Sequence, residues 1–268
     1  MTFLLLVLLA QTPSGPGPIK PLEWYPAGDV PVTLSLGAFT ILTETAFKTE
    51  LAASACRWCA HNGLDDGVRR LFVPIGAVHL DGVRWADITS NITYLAAPVL
   101  LFALDAWMVW DARGSWRDWL VDVTLTLEAT AAVMSVNQGV KFAVGRERPF
   151  VSDLSPAQKA STTSVNDNDL SFFSAHSATT AALTAASGVI AWLRGYRHPW
   201  LAWLLGGVVS LVTGTLRLAA DKHYFTDVMT GWAFGAGVGL AVPWLVHSGG
   251  DRLSVVPGPD GVGIAGRW

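Results

Sequence analysis

Three short clusters of polar residues in this chain carry side chains capable of chemistry. The first, KFAVGRERP, runs from Lys141 to Pro149 and holds Lys141 and Arg148 seven residues apart. On a continuing helix they would share a face, although Pro149 disfavours helical geometry at Arg148, so the helix is expected to end there. The second, FFSAHSA, sets Ser174 and His176 immediately before an apolar run. A serine there suits a helix cap, and the first amides of a helix attract anions. The third, RLAADKHYFTD, has Arg217, then His223, then Asp227 four residues later. If that turn is helical the carboxylate can reach the imidazole and fix its tautomer, leaving the other ring nitrogen nucleophilic. Together these are the parts of a site that binds an anion and attacks it. Each cluster alone also has a plain reading: snorkelling cations, a capping serine beside an interfacial histidine, and a surface His–Asp pair.

Apolar segments must position them. Stretches near 92–110, 119–145, 176–194, 198–216 and 227–247 are long enough to cross a membrane, which takes roughly 20 mostly apolar residues. A sixth near 31–50 is weaker because it carries Glu44 and several Ser and Thr. Tryptophans 107, 110, 119, 192, 200, 232 and 244 sit near segment ends, where headgroup anchoring or core packing would explain them. Alternating spans bring all three clusters to one membrane face, at a depth where ionisable groups are costly and usually functional. The fold class expected is an all-α integral membrane bundle of five or six transmembrane helices, with the active site at helix ends on one face.

Composition agrees. Of 268 residues, 51% are hydrophobic and 15% are charged, against about 25% charged in soluble domains. The net charge of -3 gives no reason to expect nucleic acid as a partner. No polar linker divides two cores. The reading is an N-terminal segment (1–30) with a possible signal peptide and a Pro/Gly-rich head, one membrane domain (31–247), and a Gly-rich tail (248–268). The short links 111–117 and 194–199 hold Arg113, Arg117, Arg194 and Arg197. The positive-inside rule puts them in the cytoplasm and turns the polar clusters to the other side. Residues 3–10 look like the core of a secretory signal, with no basic residue ahead of them. Cleavage after Ala10 would leave 31–50 unable to span; retention fits six spans.

At this point a family resemblance is specific. The chain resembles the type 2 phosphatidic acid phosphatase superfamily, whose motifs are K-x6-RP, PSGH and SR-x5-H-x3-D. Lys141, Arg148 and Pro149 match the first fully. Ser174 and His176 match the second, with Phe173 for proline and Ala175 for glycine. Arg217, His223 and Asp227 match the third, with Leu216 for serine. The resemblance implies that His223 attacks phosphorus with Asp227 orienting it, and that His176 serves as acid and then base. It further implies that Lys141, Arg148, Ser174, the Ala175 amide and Arg217 hold the phosphate. No cofactor and no metal are expected, because three cations supply the charge. The expected partners are the lipid bilayer and a lipid phosphate substrate, in a multi-pass protein of a bacterial-type inner membrane. A lipid phosphotransferase, a non-catalytic anionic-lipid binder or transporter, and a vanadium haloperoxidase are the alternatives.

Other polar residues get quieter readings. Glu44, Asp105, Asp122, Glu128, Asn137 and Gln138 are expected mainly to pair between helices. Asp221 and Lys222 are read as solvated rim, and Arg146 and Glu147 as lying outside the core site. Cys56 and Cys59, in a CRWC, allow either a local disulfide or two inert thiols, and no metal site.

Overall fold

The computed structural model describes residues 19–74 and 79–249, with the backbone of 254–258 and 261–265. Residues 1–18, including the signal-like run, lie outside the described residues. Six long helices form the bundle: α1 (Pro26–Thr45), α3 (Arg84–Asp111), α4 (Trp116–Val144), α5 (Ala175–Arg194), α6 (Trp200–Ala219) and α7 (Phe225–Ala241). A shorter helix, α2 (Gly63–Phe72), sits in the long loop between α1 and α3. The last long helix runs on through a π-turn to Val246, and a small antiparallel hairpin pairs 254–258 with 261–265 in the Gly-rich tail.

Local sequence explains where the helices begin and end. Ser115 and Asp118 form a reciprocal capping box at the start of α4, with Asp118 Oδ2 accepting from the Ser115 amide at 2.9 Å. Gly145 ends α4 with a φ of 56°, a left-handed conformation that costs glycine nothing. Asn62 caps α2, its Oδ1 accepting from the amides of Leu64 and Asp65.

The spans need correction in one respect. Four helices are long and apolar enough to cross a membrane: Arg84–Asp111, Trp116–Val144, Trp200–Ala219 and Phe225–Val246. α5 is equally long, but it lies in the middle of the bundle and packs on α3, α4, α6 and α7. Sixteen of its twenty residues are buried. A helix encased in protein has no need to be greasy, and α5 is built from Ala, Thr and Ser instead. α1 packs on α4 at the outside of the bundle and starts before residue 31. Residues 19–25 dock at the far end from the polar clusters, through Lys20 to Arg194 and Glu23 to His247. α1 thus runs in the direction that six alternating spans require. Among the tryptophans, Trp107, Trp110, Trp192, Trp200 and Trp244 are exposed on the bundle surface.

Two helices approach to backbone contact. Gly231, Gly235 and Gly239 form one stripe of α7, and a Cβ on Gly235 would come within 2.0 Å of Ala178 O on α5. Gly188 of α5 likewise accepts the Trp203 ring, and Gly206 of α6 meets Thr184. Most in-span polar residues pair between elements, as expected. Asp122 takes hydrogen bonds from Arg194 at 2.6 Å and from Tyr196 at 2.5 Å. Gln138 donates to Glu44, and Asn137 donates to Phe173 O. Asp105 and Glu128 differ: among the described residues Asp105 is buried with Oδ2 unpartnered, and Glu128 Oε2 makes no hydrogen bond but lies 3.5 Å from His247 Nε2.

Gly235→Val should lower stability in detergent by about 1–3 kcal/mol through overpacking. Gly237→Ala, whose Cβ meets nothing within 4 Å, should leave the unfolding midpoint unchanged. Equal midpoints for both variants would contradict the close α5–α7 contact.

Candidate active site

The three clusters converge. Six of the eight expected site residues line one cavity of about 820 Å³: Lys141, Arg148, Ala175, His176, Arg217 and His223. They do not meet as the spacing suggested. α4 stops at Val144, so Lys141 projects from the helix while Arg148 lies four residues beyond it in extended backbone. That extension is held by the CRWC loop: Arg57 N–H donates to Gly145 O at 2.9 Å and Glu147 N–H to Trp58 O at 3.2 Å. Cys56 and Cys59 are joined in a disulfide within the same loop.

Arg148 is set by main-chain acceptors. Its Nε donates to Asp167 O at 2.7 Å and its Nη1 to Lys222 O at 3.0 Å, and Nη1 lies 3.5 Å from His223 Nε2. Arg217 donates through Nη1 to Asp87 at 2.5 Å and to Ser90 at 3.0 Å, and its buried Nε has no partner among the described residues. His176 Nε2 donates to Asn91 Oδ1 at 2.8 Å, with its ring against Tyr94.

Ser174 and Asp227 stand behind the cavity wall. Ser174 is fully buried; its Oγ accepts from the Ser177 amide and caps α5, so its hydroxyl does not face the cavity. Asp227 was expected to hold His223 directly. Its Oδ2 is 3.7 Å from His223 Nδ1, beyond hydrogen-bond range. The reason is that α7 begins at Phe225, so the His223 turn is not helical. Asp227 instead accepts from Tyr224 N–H at 3.0 Å, Ser171 Oγ at 2.6 Å and Arg146 Nη1 at 2.5 Å. His223 Nδ1 donates to Ser171 O at 2.8 Å.

Arg146 is the largest correction. Read as peripheral, it is 1% exposed and bridges Asp65 of α2 at 2.7 Å and Asp227 of α7. The rings of Trp58 and Tyr224 each lie 4.2 Å from its guanidinium carbon. Asp65 also accepts from the Thr226 amide and hydroxyl. Nothing in the sequence near residue 65 signals this. Asp221, read as rim, is 2% exposed and takes a forked pair from Arg69 at 2.7 and 2.6 Å. Glu147, also read as peripheral, is buried and pairs with Lys159.

Electrostatics in the loops follow from crowding. Burial and then the charges of Arg148, Arg217, Lys141 and His176 hold the His223 imidazole well below its ordinary value of 6.5. Burial and Arg148 bring Lys222 down to about 8. Burial would raise the Asp167 carboxyl, but Arg148 and Lys48 outweigh it and keep it below the usual range. Among the described residues, Cys56, Glu147 and Asp169 bring three ligand-type atoms within 4.8 Å of one another. The Cys56 sulfur is spent in the disulfide, and none of the three lines the cavity.

Arg146→Met should cost about 3–5 kcal/mol, because Asp65 and Asp227 would keep their buried charge without the cation between them. The check is a thermal or denaturant midpoint in detergent. A cost below about 1 kcal/mol, the level of an exposed pair, would show that the bridge is not buried as described.

Comparison with known proteins gives three results. Residues 122–250 match the sequence profile of the PAP2 superfamily. None of the curated proteins compared matches this sequence. Among solved structures, the first transmembrane PAP2 type phosphatidylglycerolphosphate phosphatase from Bacillus subtilis aligns over 80% of this chain and 93% of its own, at 19% identity and a TM-score of 0.45. The matched segment, a little under half of the chain, contains all three polar clusters, the end of α4 and the helices α5, α6 and α7, and over it this chain is similar to the PAP2 superfamily.

Proposed function

We propose that this protein is a membrane phosphatase that removes phosphate from a lipid phosphate or diphosphate through a phosphohistidine, without a metal. The observation that carries the reading is the convergence of His223, His176, Lys141, Arg148 and Arg217 on one cavity. His223 Nδ1 is occupied by a carbonyl, so its proton stays there and the lone pair is on Nε2, beside Arg148. That nitrogen attacks phosphorus and forms an N–P bond as the bond to the leaving oxygen breaks. His176 gives its proton to the leaving oxygen. It then takes a proton from water as the N–P bond is hydrolysed. Lys141, Arg148 and Arg217 hold the phosphoryl oxygens, and charge stabilisation of this kind is the main contribution a protein makes to phosphoryl transfer.

A lipid-linked substrate is favoured by where the cavity lies. It runs between Thr40 and Glu44 of α1 and Ile88, Asn91 and Tyr94 of α3, over Asn137 and Gln138 of α4. Ile88 is itself exposed on the bundle surface. A headgroup in the cavity can keep its tail in the bilayer. The catalytic end faces away from the cytoplasm in this reading. Of the four arginines invoked for that orientation, Arg194 is consumed by Asp122, and Arg113, Arg117 and Arg197 remain.

The experiment is phosphate release by detergent-purified protein from a panel of lipid phosphates, with chelator present. His223→Ala should reduce release about a thousandfold or more, and Arg217→Met should cost about a hundred- to a thousandfold in kcat. No release by well-folded parent protein would favour a lipid binder or transporter. Release that survives in His223→Ala would remove the nucleophile assignment. Because His223 must be neutral to attack and its pKa is held down, kcat/KM should persist as pH falls below 6.5 and decline only at more acid pH. An acid limb centred at or above 6.5 would contradict the crowding of cations around it.

A further inference from the structure

We propose that Ser171 is the positioning residue of the nucleophile, and that the Asp227 carboxylate reaches the His223 imidazole through it. This rests on the phosphatase reading for its kinetic consequence, but not for its geometry. Ser171 is fully buried and sits immediately before the second polar cluster, outside every motif read from the sequence. It makes three hydrogen bonds in three directions. Its amide donates to Arg146 O at 2.9 Å. Its hydroxyl donates to Asp227 Oδ2 at 2.6 Å. Its carbonyl accepts from His223 Nδ1 at 2.8 Å.

The third bond decides the tautomer. A backbone carbonyl can only accept, so Nδ1 must carry the proton and Nε2 must carry the lone pair. The first two bonds decide where that carbonyl points. Both lead to the buried Asp65–Arg146–Asp227 bridge, the amide through the Arg146 main chain and the hydroxyl through the Asp227 carboxylate. Asp227 is too far from Nδ1 to hold it, at 3.7 Å. It holds the serine that does. The serine hydroxyl is the one side-chain link in this relay, so removing it leaves the carbonyl in place but frees it to tilt. A misaimed Nε2 loses in-line attack while the phosphate cradle is untouched. A serine that merely filled space would have no such selective effect.

The test compares Ser171→Ala, Ser171→Thr and Asp227→Asn, singly and Ser171→Ala with Asp227→Asn, beside the parent and His223→Ala. Ser171→Ala should lower kcat about ten- to a hundredfold, the loss that follows when a reacting group is misplaced, with KM within about twofold. Ser171→Thr, which keeps the hydroxyl, should restore most of it. In the Asp227→Asn background, Ser171→Ala should add no further loss, because both act along one path. Nitrogen-15 spectra of histidine-labelled protein, with His223 assigned by its absence in His223→Gln, should show Nδ1 protonated in the parent and a mixture of tautomers in Ser171→Ala.

A Ser171→Ala protein with the parent's kcat and the parent's tautomer would overturn the proposal. So would losses that multiply in the double variant, since Asp227 would then act independently of Ser171. A parent that releases no phosphate would sink the phosphatase reading instead, and the tautomer measurement would still decide this one.

Discussion

A guanidinium buried between two carboxylates organises the end of this molecule that holds the polar clusters. Arg146 joins Asp65 of α2 to Asp227 of α7, and its own backbone belongs to the extension that leads out of α4. Three elements distant in sequence are therefore fixed by one side chain. Taking such charges out of water costs several kcal/mol per ion, and attraction offsets it only when every lone pair is used. Here the carboxylates use theirs on the Thr226 amide and hydroxyl, the Tyr224 amide and Ser171. Two of those donors are amides at the start of α7, where the helix dipole also favours negative charge. Aromatic rings cover the guanidinium and keep water from the bridge.

This rigid base supports a cavity wall that is electrostatically unfavourable by itself. Lys141, Arg148 and Arg217 face one space with His176 and His223 among them. Asp87 and Asp167 lie nearby and compensate part of the charge. The rest is repulsion that the fold must withstand, through main-chain acceptors on Arg148 and a carboxylate on Arg217. An anion relieves that repulsion, and a group whose charge spreads over several oxygens relieves most of it. Burial and then the same cations hold the His223 pKa down, so the crowding that favours an anion also favours a free lone pair on the ring.

Much of this could be read from residue types and spacing. The long apolar runs located the helices, and alternation placed Lys141, His176, Arg217 and His223 at one end. What could not be read was the backbone between the runs. Gly145 stops α4 early and His223 precedes α7 rather than joining it, so helical spacing misjudged both the Lys141–Arg148 and the His223–Asp227 relations. Asp65 lies 81 residues from Arg146 in sequence, in a loop helix with no local signature. Charged residues such as Arg146 and Asp221 read as surface because their partners are distant. α5 misled in the other direction, since its small residues look apolar enough for lipid while they actually face protein.

The encasement of α5 constrains how this protein can diversify. Its face toward α7 meets glycine backbone, its middle receives Trp203, and its flank meets α6 at Gly206. A larger side chain at these positions has nowhere to go, so the interior is closed to evolutionary drift by size. Variation must collect around the cavity, where Asp81 comes from the loop before α3, Arg84 from the first residue of α3, and Thr162 to Ser164 from another loop. Two descendants of one ancestor could thus share this interior almost atom for atom and still choose different molecules to accept.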